Sequence, residues 1–221
     1  MAGKRSYEDG CAAAHALDLL GERWALLVVR ELVLGPKRFT DLRSGLPGIS
    51  PNVLTQRLGE LEAAAVVQRR RLPPPASAAV YELTSWGRQL EPIILALGHW
   101  GARSPTRTRG APLGVDSLVL SWRTMFSAER AKDLRARLQL HIATQVYQAR
   151  VEDGHLLLKR GADKDAEAVL EADVATYVSL VYEGAKFNDA LRAGTLVVSG
   201  DKQTAKRFLA LFPLPQIVTS A

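Results

Sequence analysis

From Ala12 onward, apolar residues recur at helical spacing through most of the first hundred positions. Ala12–Leu20 is a run of small and aliphatic residues with helical composition, interrupted by Gly21. Beyond it, Trp24, Leu27, Val28, Glu31 and Leu32 fall on one mainly apolar stripe of a second helix, which Gly35-Pro36 ends. Phe39–Gly45 predicts a short third helix, with Phe39 and Leu42 three apart on one face. After a turn at residues 46–49, Ser50-Pro51 opens a fourth helix with a serine N-cap and a proline at the first helical position, where its missing N–H costs nothing. Leu54, Leu58 and Leu61 follow at i, i+4 and i+7 and predict its buried face. Asn52, Thr55, Gln56 and Gly59 lie on another face and are expected to be exposed. Residues 66–72 and 79–84 read as short strands around a Pro/Ala/Ser tip at 73–79. A last helix over 86–103 carries Leu90, Ile93, Ile94, Leu97 and Trp100 on one stripe, and Pro92 predicts either a kink or the helix's true start.

The pattern then breaks. Residues 104–114 lack periodicity and are rich in Pro, Gly, Thr and Arg, so they read as a linker. Beyond it the pattern is mixed. Residues 115–126 predict a helix, 140–151 alternate as a strand, Asp153-Gly154 is a hairpin turn and residues 155–159 are its return strand. Residues 166–172 predict a further strand. Asp173 caps a helix with Val174, Tyr177, Val178, Val181 and Tyr182 on one face. A helix at 187–193, a strand at 195–199 and a last helix capped by Asp201 and carrying Phe208, Leu209 and Phe212 complete the chain. The expected fold is α+β in two domains, 1–103 and 115–221, joined by the linker at 104–114.

Composition adds little until it is divided. The 221 residues are 47% apolar and 24% charged, ordinary globular values, with a net charge of +6 and a pI near 9.7. Residues 1–110 hold 15 Lys/Arg against 10 Asp/Glu, and residues 111–221 hold 14 against 13, so the basic excess sits in the first half. No apolar run is long enough to span a membrane, and no apolar stretch follows the basic N-terminal residues as a secretion signal requires. A single cysteine fits a reducing cytoplasm, the expected location.

Two helices joined by a short turn and followed by a basic hairpin are the parts of a winged helix-turn-helix. In such a domain the second helix of the pair enters the major groove of double-stranded DNA. On that helix Asn52 and Gln56 can pair bidentately with adenine, while Thr55 offers a hydroxyl or a methyl group. Lys37, Arg38, Arg43 and Arg57 suit phosphates, Ser50 with the helix N-terminus can hold another, and Arg69, Arg70 and Arg71 make a basic wing strand. A merely solvated polar face is the plain alternative for the helix alone; the hairpin and the helix order tell against it.

These residues carry a resemblance. Cys11, Ala16-Leu-Asp-Leu-Leu-Gly-Glu-Arg-Trp24, Leu26-Leu-Val-Val-Arg-Glu-Leu32, Gly35-Pro-Lys-Arg-Phe39, Leu42-Arg43, Leu46-Pro-Gly-Ile-Ser-Pro-Asn-Val-Leu54, Gln56-Arg-Leu58, Glu60-Leu-Glu62, Tyr81-Glu-Leu-Thr84 and Trp86-Gly87 resemble the HxlR family of bacterial regulators. The resemblance implies a homodimer built from the first and last helices of the domain, with Leu17, Leu90, Ile93, Ile94, Leu97 and Trp100 at the interface. It also makes Cys11 a candidate redox or electrophile sensor, against the plainer reading of a small interface residue. Gly21-Glu22-Arg23 departs from the family's more usual Gly-Gly-Lys, and the wing tip is unusually rich in proline and alanine.

In the second half, Ala172-Asp173 with Tyr177, Asp189-Ala-Leu-Arg-Ala-Gly194, Leu196 and Gly200-Asp201 are similar to sterol-carrier-protein-like domains. That resemblance implies an apolar tunnel for a small hydrophobic ligand, with no individual pocket residue assignable. A dry, fully packed core is the alternative. His15, His99, His141 and His155 show no metal-ligand spacing, and no phosphate loop, dinucleotide fingerprint or nucleophile elbow is present. The expectation is a regulator rather than an enzyme, with no metal, cofactor or membrane partner. The rival is a hydrophobic-ligand carrier whose first domain only dimerises.

Overall fold

The computed structural model describes residues 6–74, 77–108 and 110–219, so Pro75 and Ala76 of the expected wing tip and Arg109 of the expected linker lie outside the described residues. The chain divides into two compact units, Met1–Ile94 and Leu95–Ala221.

In the first unit α1 (Ala12–Leu20), α2 (Ala25–Val33), α3 (Phe39–Gly45) and α4 (Pro51–Ala63) precede a hairpin of β1 (Val67–Arg71) and β2 (Ala79–Leu83). On α2 the buried apolar set is Ala25, Val28, Val29 and Leu32. This is the i, i+3, i+4, i+7 set counted from Ala25, so the expected stripe is displaced: Val29 turns inward and Leu27 is 39% exposed. Trp24 precedes the helix at φ 79°, a left-handed conformation costing a bulky residue on the order of 1–2 kcal/mol. Packing of its ring against the core offsets that cost. Leu54, Leu58 and Leu61 of α4 are buried as expected, and they meet Val28, Val29 and Leu32 of α2, Leu42 of α3 and Val67 and Leu83 of the hairpin in one cluster.

The hairpin is antiparallel in the register Val67↔Leu83 to Arg71↔Ala79. A one-residue third strand flanks it, where Lys37 and Tyr81 exchange backbone N–H···O bonds of 3.0 and 2.8 Å. Thr84 leads out of β2. Its hydroxyl donates to the Ala65 carbonyl at 2.7 Å and accepts from the Gly87 N–H at 2.9 Å, capping the short α5 (Ser85–Arg88). A Cβ on Gly87 would stand 2.0 Å from the Val66 carbonyl oxygen, so this corner admits only glycine. The expected helix over 86–103 is therefore two: α5, then α6 (Glu91–Ala102), with Pro92 in the first turn and marking the true start.

The second unit contains α7 (Val115–Met125), α8 (Ala128–Ala131), β3 (Ala136–Ile142), β4 (Gln145–Glu152), β5 (His155–Arg160), β6 (Ala168–Ala172), α9 (Val174–Tyr182), α10 (Phe187–Ala193), β7 (Val197–Gly200) and α11 (Lys202–Leu209). Its sheet has the order β5-β4-β3-β6-β7, antiparallel except for the β3–β6 pair. The single strand expected over 140–151 is in fact the end of β3, a tight turn and most of β4. Ala143, at φ 52°, turns the chain with none of the residues that usually signal a hairpin. β3 alternates strictly, burying Ala136, Leu138, Leu140 and Ile142. Helices α7 and α11 pack against the sheet. Trp122 of α7 is fully buried, with ring centroids 5.4, 6.0 and 5.5 Å from Tyr177, Phe208 and Phe212.

Candidate nucleic-acid interface

The surface of α4 follows from its buried side. With Leu54, Leu58 and Leu61 inward, Asn52, Thr55, Gln56 and Gly59 are exposed on one face. The Ser50 hydroxyl accepts from the Val53 N–H at 3.3 Å and starts the helix. The three polar side chains differ in readiness. Thr55 donates its hydroxyl to the Pro51 carbonyl at 2.9 Å, Gln56 donates its amide to Glu60 at 2.9 Å, and the Asn52 amide has no partner among the described residues.

The seven expected basic contacts separate into two groups. Arg38, Arg43, Arg69 and Arg71 are exposed, and among the described residues their guanidinium groups have no acid partner. The other three are held by carboxylates. Lys37 donates to the buried Glu31 at 2.5 Å and is only 11% exposed, and Arg30 donates to the same carboxylate at 2.8 Å. Arg70 binds Glu82 through two bonds of 2.9 and 3.0 Å. This pairing raises the Arg70 pKa and holds the Glu82 carboxyl below its usual range. Arg57 is a correction to the expected phosphate contacts. Its side chain is 9% exposed and turned onto Glu60 and, at 3.6 Å, Glu22, because its position follows Leu54 by three and faces inward. These carboxylates were missed in the sequence. Glu60 three residues after Arg57, and Glu31 on an otherwise apolar stripe, were the available signals.

Cys11 stands at the N-cap of α1, exposed and unbonded to another cysteine. The Ala14 and Ala13 backbone N–H groups at this helix start lower its thiol pKa, because they favour the thiolate. Lys4 and Arg5 precede the described residues. Of the expected interface residues, Leu17 on α1 and Ile93, Leu97 and Trp100 on α6 are exposed, Trp100 at 75%. Leu90 and Ile94 are half-buried against the first unit's own core. Among the described residues no cluster of three or more His, Cys, Asp or Glu could hold a metal, and no helix is long and apolar enough to cross a membrane.

Two family profiles match the chain: the HxlR-like helix-turn-helix at residues 19–108 and the SCP-2 sterol transfer family at residues 122–213. An uncharacterised helix-turn-helix transcriptional regulator of Bacillus subtilis, YybR, is 37% identical over 94 residues, covering 42% of this chain and 75% of YybR. The B. subtilis transcriptional regulator YodB is 38% identical over 85 residues, covering 38% of this chain and 76% of YodB. The solved structure of reduced YodB is 34% identical, covering 43% of this chain and 95% of that one, with a TM-score of 0.39. The chain belongs to the HxlR-like helix-turn-helix family of transcriptional regulators, and its second half is an SCP-2-type domain.

Proposed function

We propose that the protein is a cytoplasmic, homodimeric regulator that binds two-fold DNA through α4, and that its SCP-2-type domain takes a small effector. The observation that carries the DNA reading is the exposed Asn52–Thr55–Gln56 face on a helix anchored by Leu54, Leu58 and Leu61, with a basic hairpin following it. Asn52 is the primary adenine reader. Gln56 exchanges Glu60 for a base edge, and the Thr55 methyl meets a thymine methyl while its hydroxyl stays on Pro51. Arg38, Arg43, Arg69 and Arg71 take phosphates, whereas Lys37, Arg57 and Arg70 hold the domain together through their carboxylates.

The test is DNA binding by single variants. Asn52→Ala and Gln56→Ala each cost roughly 1–3 kcal/mol at the specific site and little on random DNA. Arg71→Ala weakens both alike and flattens the salt dependence. An unchanged specific-to-random ratio in both α4 variants removes α4 as the reading helix. The match of residues 122–213 to a sterol transfer family supports a second reading, a ligand carrier whose first unit only dimerises. A carrier gives no salt-dependent shift of DNA from its own promoter.

A further inference from the structure

On the exposed face of α4, Gln56 is tied to a charged neighbour. Its Nε2 donates to one carboxylate oxygen of Glu60 at 2.9 Å, one turn along the helix. The other oxygen of Glu60 takes the guanidinium of the buried Arg57. Arg57 also approaches Glu22 at 3.6 Å, and its Nε has no hydrogen-bond partner among the described residues, so these two carboxylates hold the guanidinium in place. Glu60 is thus pinned from the core side and offers its remaining oxygen to Gln56. Position 59, the other place one turn along from Gln56, is an exposed glycine, and a Cβ there would meet nothing within 4 Å. No side chain there competes with Glu60 for the amide.

We infer that Glu60 is a specificity-determining residue: it orients the Gln56 amide so that the base facing it must present an exocyclic amine, adenine or cytosine, in the major groove. The inference rests on α4 being the reading helix and narrows what that helix reads. An ionised carboxylate only accepts hydrogen bonds, so Gln56 turns its NH2 group toward Glu60 and its Oε1 away. Oε1 then needs a donor. Adenine N6 and cytosine N4 are donors in the major groove, whereas guanine O6 and thymine O4 are acceptors. Flipping the amide to suit guanine or thymine would set Oε1 against the carboxylate, and Arg57 keeps that carboxylate from swinging clear. Adenine ranks first, because its N7 also accepts from Nε2. Glu60 touches no base in this arrangement. It is a positioning residue that acts through Gln56.

Selection of duplexes from a random pool by the full wild-type chain, followed by competition binding with each base pair substituted in turn, tests this. Gln56→Ala locates the pair that Gln56 reads, because preference is lost there alone. At that pair, on the strand Gln56 faces, the wild type takes adenine or cytosine over guanine or thymine by about tenfold. Glu60→Gln lets the amide flip, and the preference falls to within about twofold while the other pairs keep theirs. A Glu60 that only stabilises the helix weakens all duplexes alike in the Glu60→Gln variant and leaves the preference intact, which overturns the inference. A wild type that prefers guanine or thymine at that pair also overturns it. If Glu60→Gln loses its cooperative melting transition, Arg57→Met/Glu60→Gln removes the buried cation together with its acid. In that double variant a lost preference supports the inference and a kept one overturns it. A Gln56→Ala profile unchanged at every pair removes α4 as the reading helix and the inference with it, whereas the other failures leave that reading standing.

Discussion

Glu31 is 2% exposed and carries the charge on which the corner between α2 and α3 is built. It accepts from Arg30 and Lys37, and a Cβ on Gly45 would lie 2.1 Å from one of its carboxylate oxygens. The burial is unequal, because the carboxylate is enclosed while Lys37 and Arg30 reach toward water at 11% and 24% exposure. Removing the lysine therefore leaves a buried charge with one partner fewer, whereas neutralising the glutamate leaves cations that can extend outward. Lys37→Met is expected to cost about 2–4 kcal/mol and Glu31→Gln about 1–2 kcal/mol in urea denaturation. The reverse order would show that the carboxylate is not the enclosed partner. Cys11 gives a second prediction at this scale. Because the Ala13 and Ala14 N–H groups lower its pKa, the midpoint of its alkylation rate against pH falls below that of a cysteine in an unstructured peptide. An unshifted midpoint removes the chemical basis for thiol sensing.

Among the elements, the capped helices of the second unit tie stability to pH. Asp173 accepts from the Thr176 N–H at 2.7 Å, and Asp201 accepts from the Thr204 hydroxyl at 2.7 Å and from the Thr204 and Gln203 N–H groups. These bonds hold both carboxyls below their usual range. A folded pKa below the unfolded one contributes stability above the unfolded value and loses it as pH falls through the folded value. Asp173→Ala therefore costs about 1 kcal/mol at neutral pH, and Asp173→Asn, a neutral cap, flattens the loss of stability below about pH 4. Equal acid sensitivity of wild type and Asp173→Asn in denaturant titrations would contradict this. The same elements show what is legible in the chain. Both aspartate caps, the Asp153-Gly154 turn and the leucine face of α4 were readable because each is a local rule about neighbouring residues. The β3–β4 turn was not, because 140–151 alternates well enough to pass for one strand, and Ala143 adopts its positive φ under the sheet's constraint rather than its own preference. Nor were the cation partners: Lys37 and Glu31 are six residues apart, and Arg70 and Glu82 meet across the hairpin, so only the fold brings them together.

At the scale of the whole molecule, α6 leaves Ile93, Leu97 and Trp100 in solvent while Leu90 and Ile94 pack on the first unit's core. A helix anchored by Ile94 and by Leu90 just before it, with three large exposed apolar residues, suits a self-complementary contact between two copies. Leu97→Glu puts a charge on that face without touching the core, so it is expected to sediment as a folded monomer with the wild-type melting temperature and weak specific DNA binding. A dimeric Leu97→Glu protein moves the interface elsewhere. The proposed dimer also fixes what an effector can do. In it, two copies of α4 are to read half-sites about one or two helical turns apart, roughly 34 Å per turn, so both must stand at the right spacing at once. A ligand in the second unit changes DNA occupancy only to the extent that it binds the DNA-bound and DNA-free forms with different affinity, since equal affinity shifts nothing. By reciprocity, operator DNA must then change the ligand's affinity by the same factor. Titrating a small apolar ligand that raises the melting temperature of the protein, with and without saturating operator, measures that factor directly: a ratio away from one makes the second unit a sensor, and a ratio of one with intact binding makes it a carrier domain joined to a regulator.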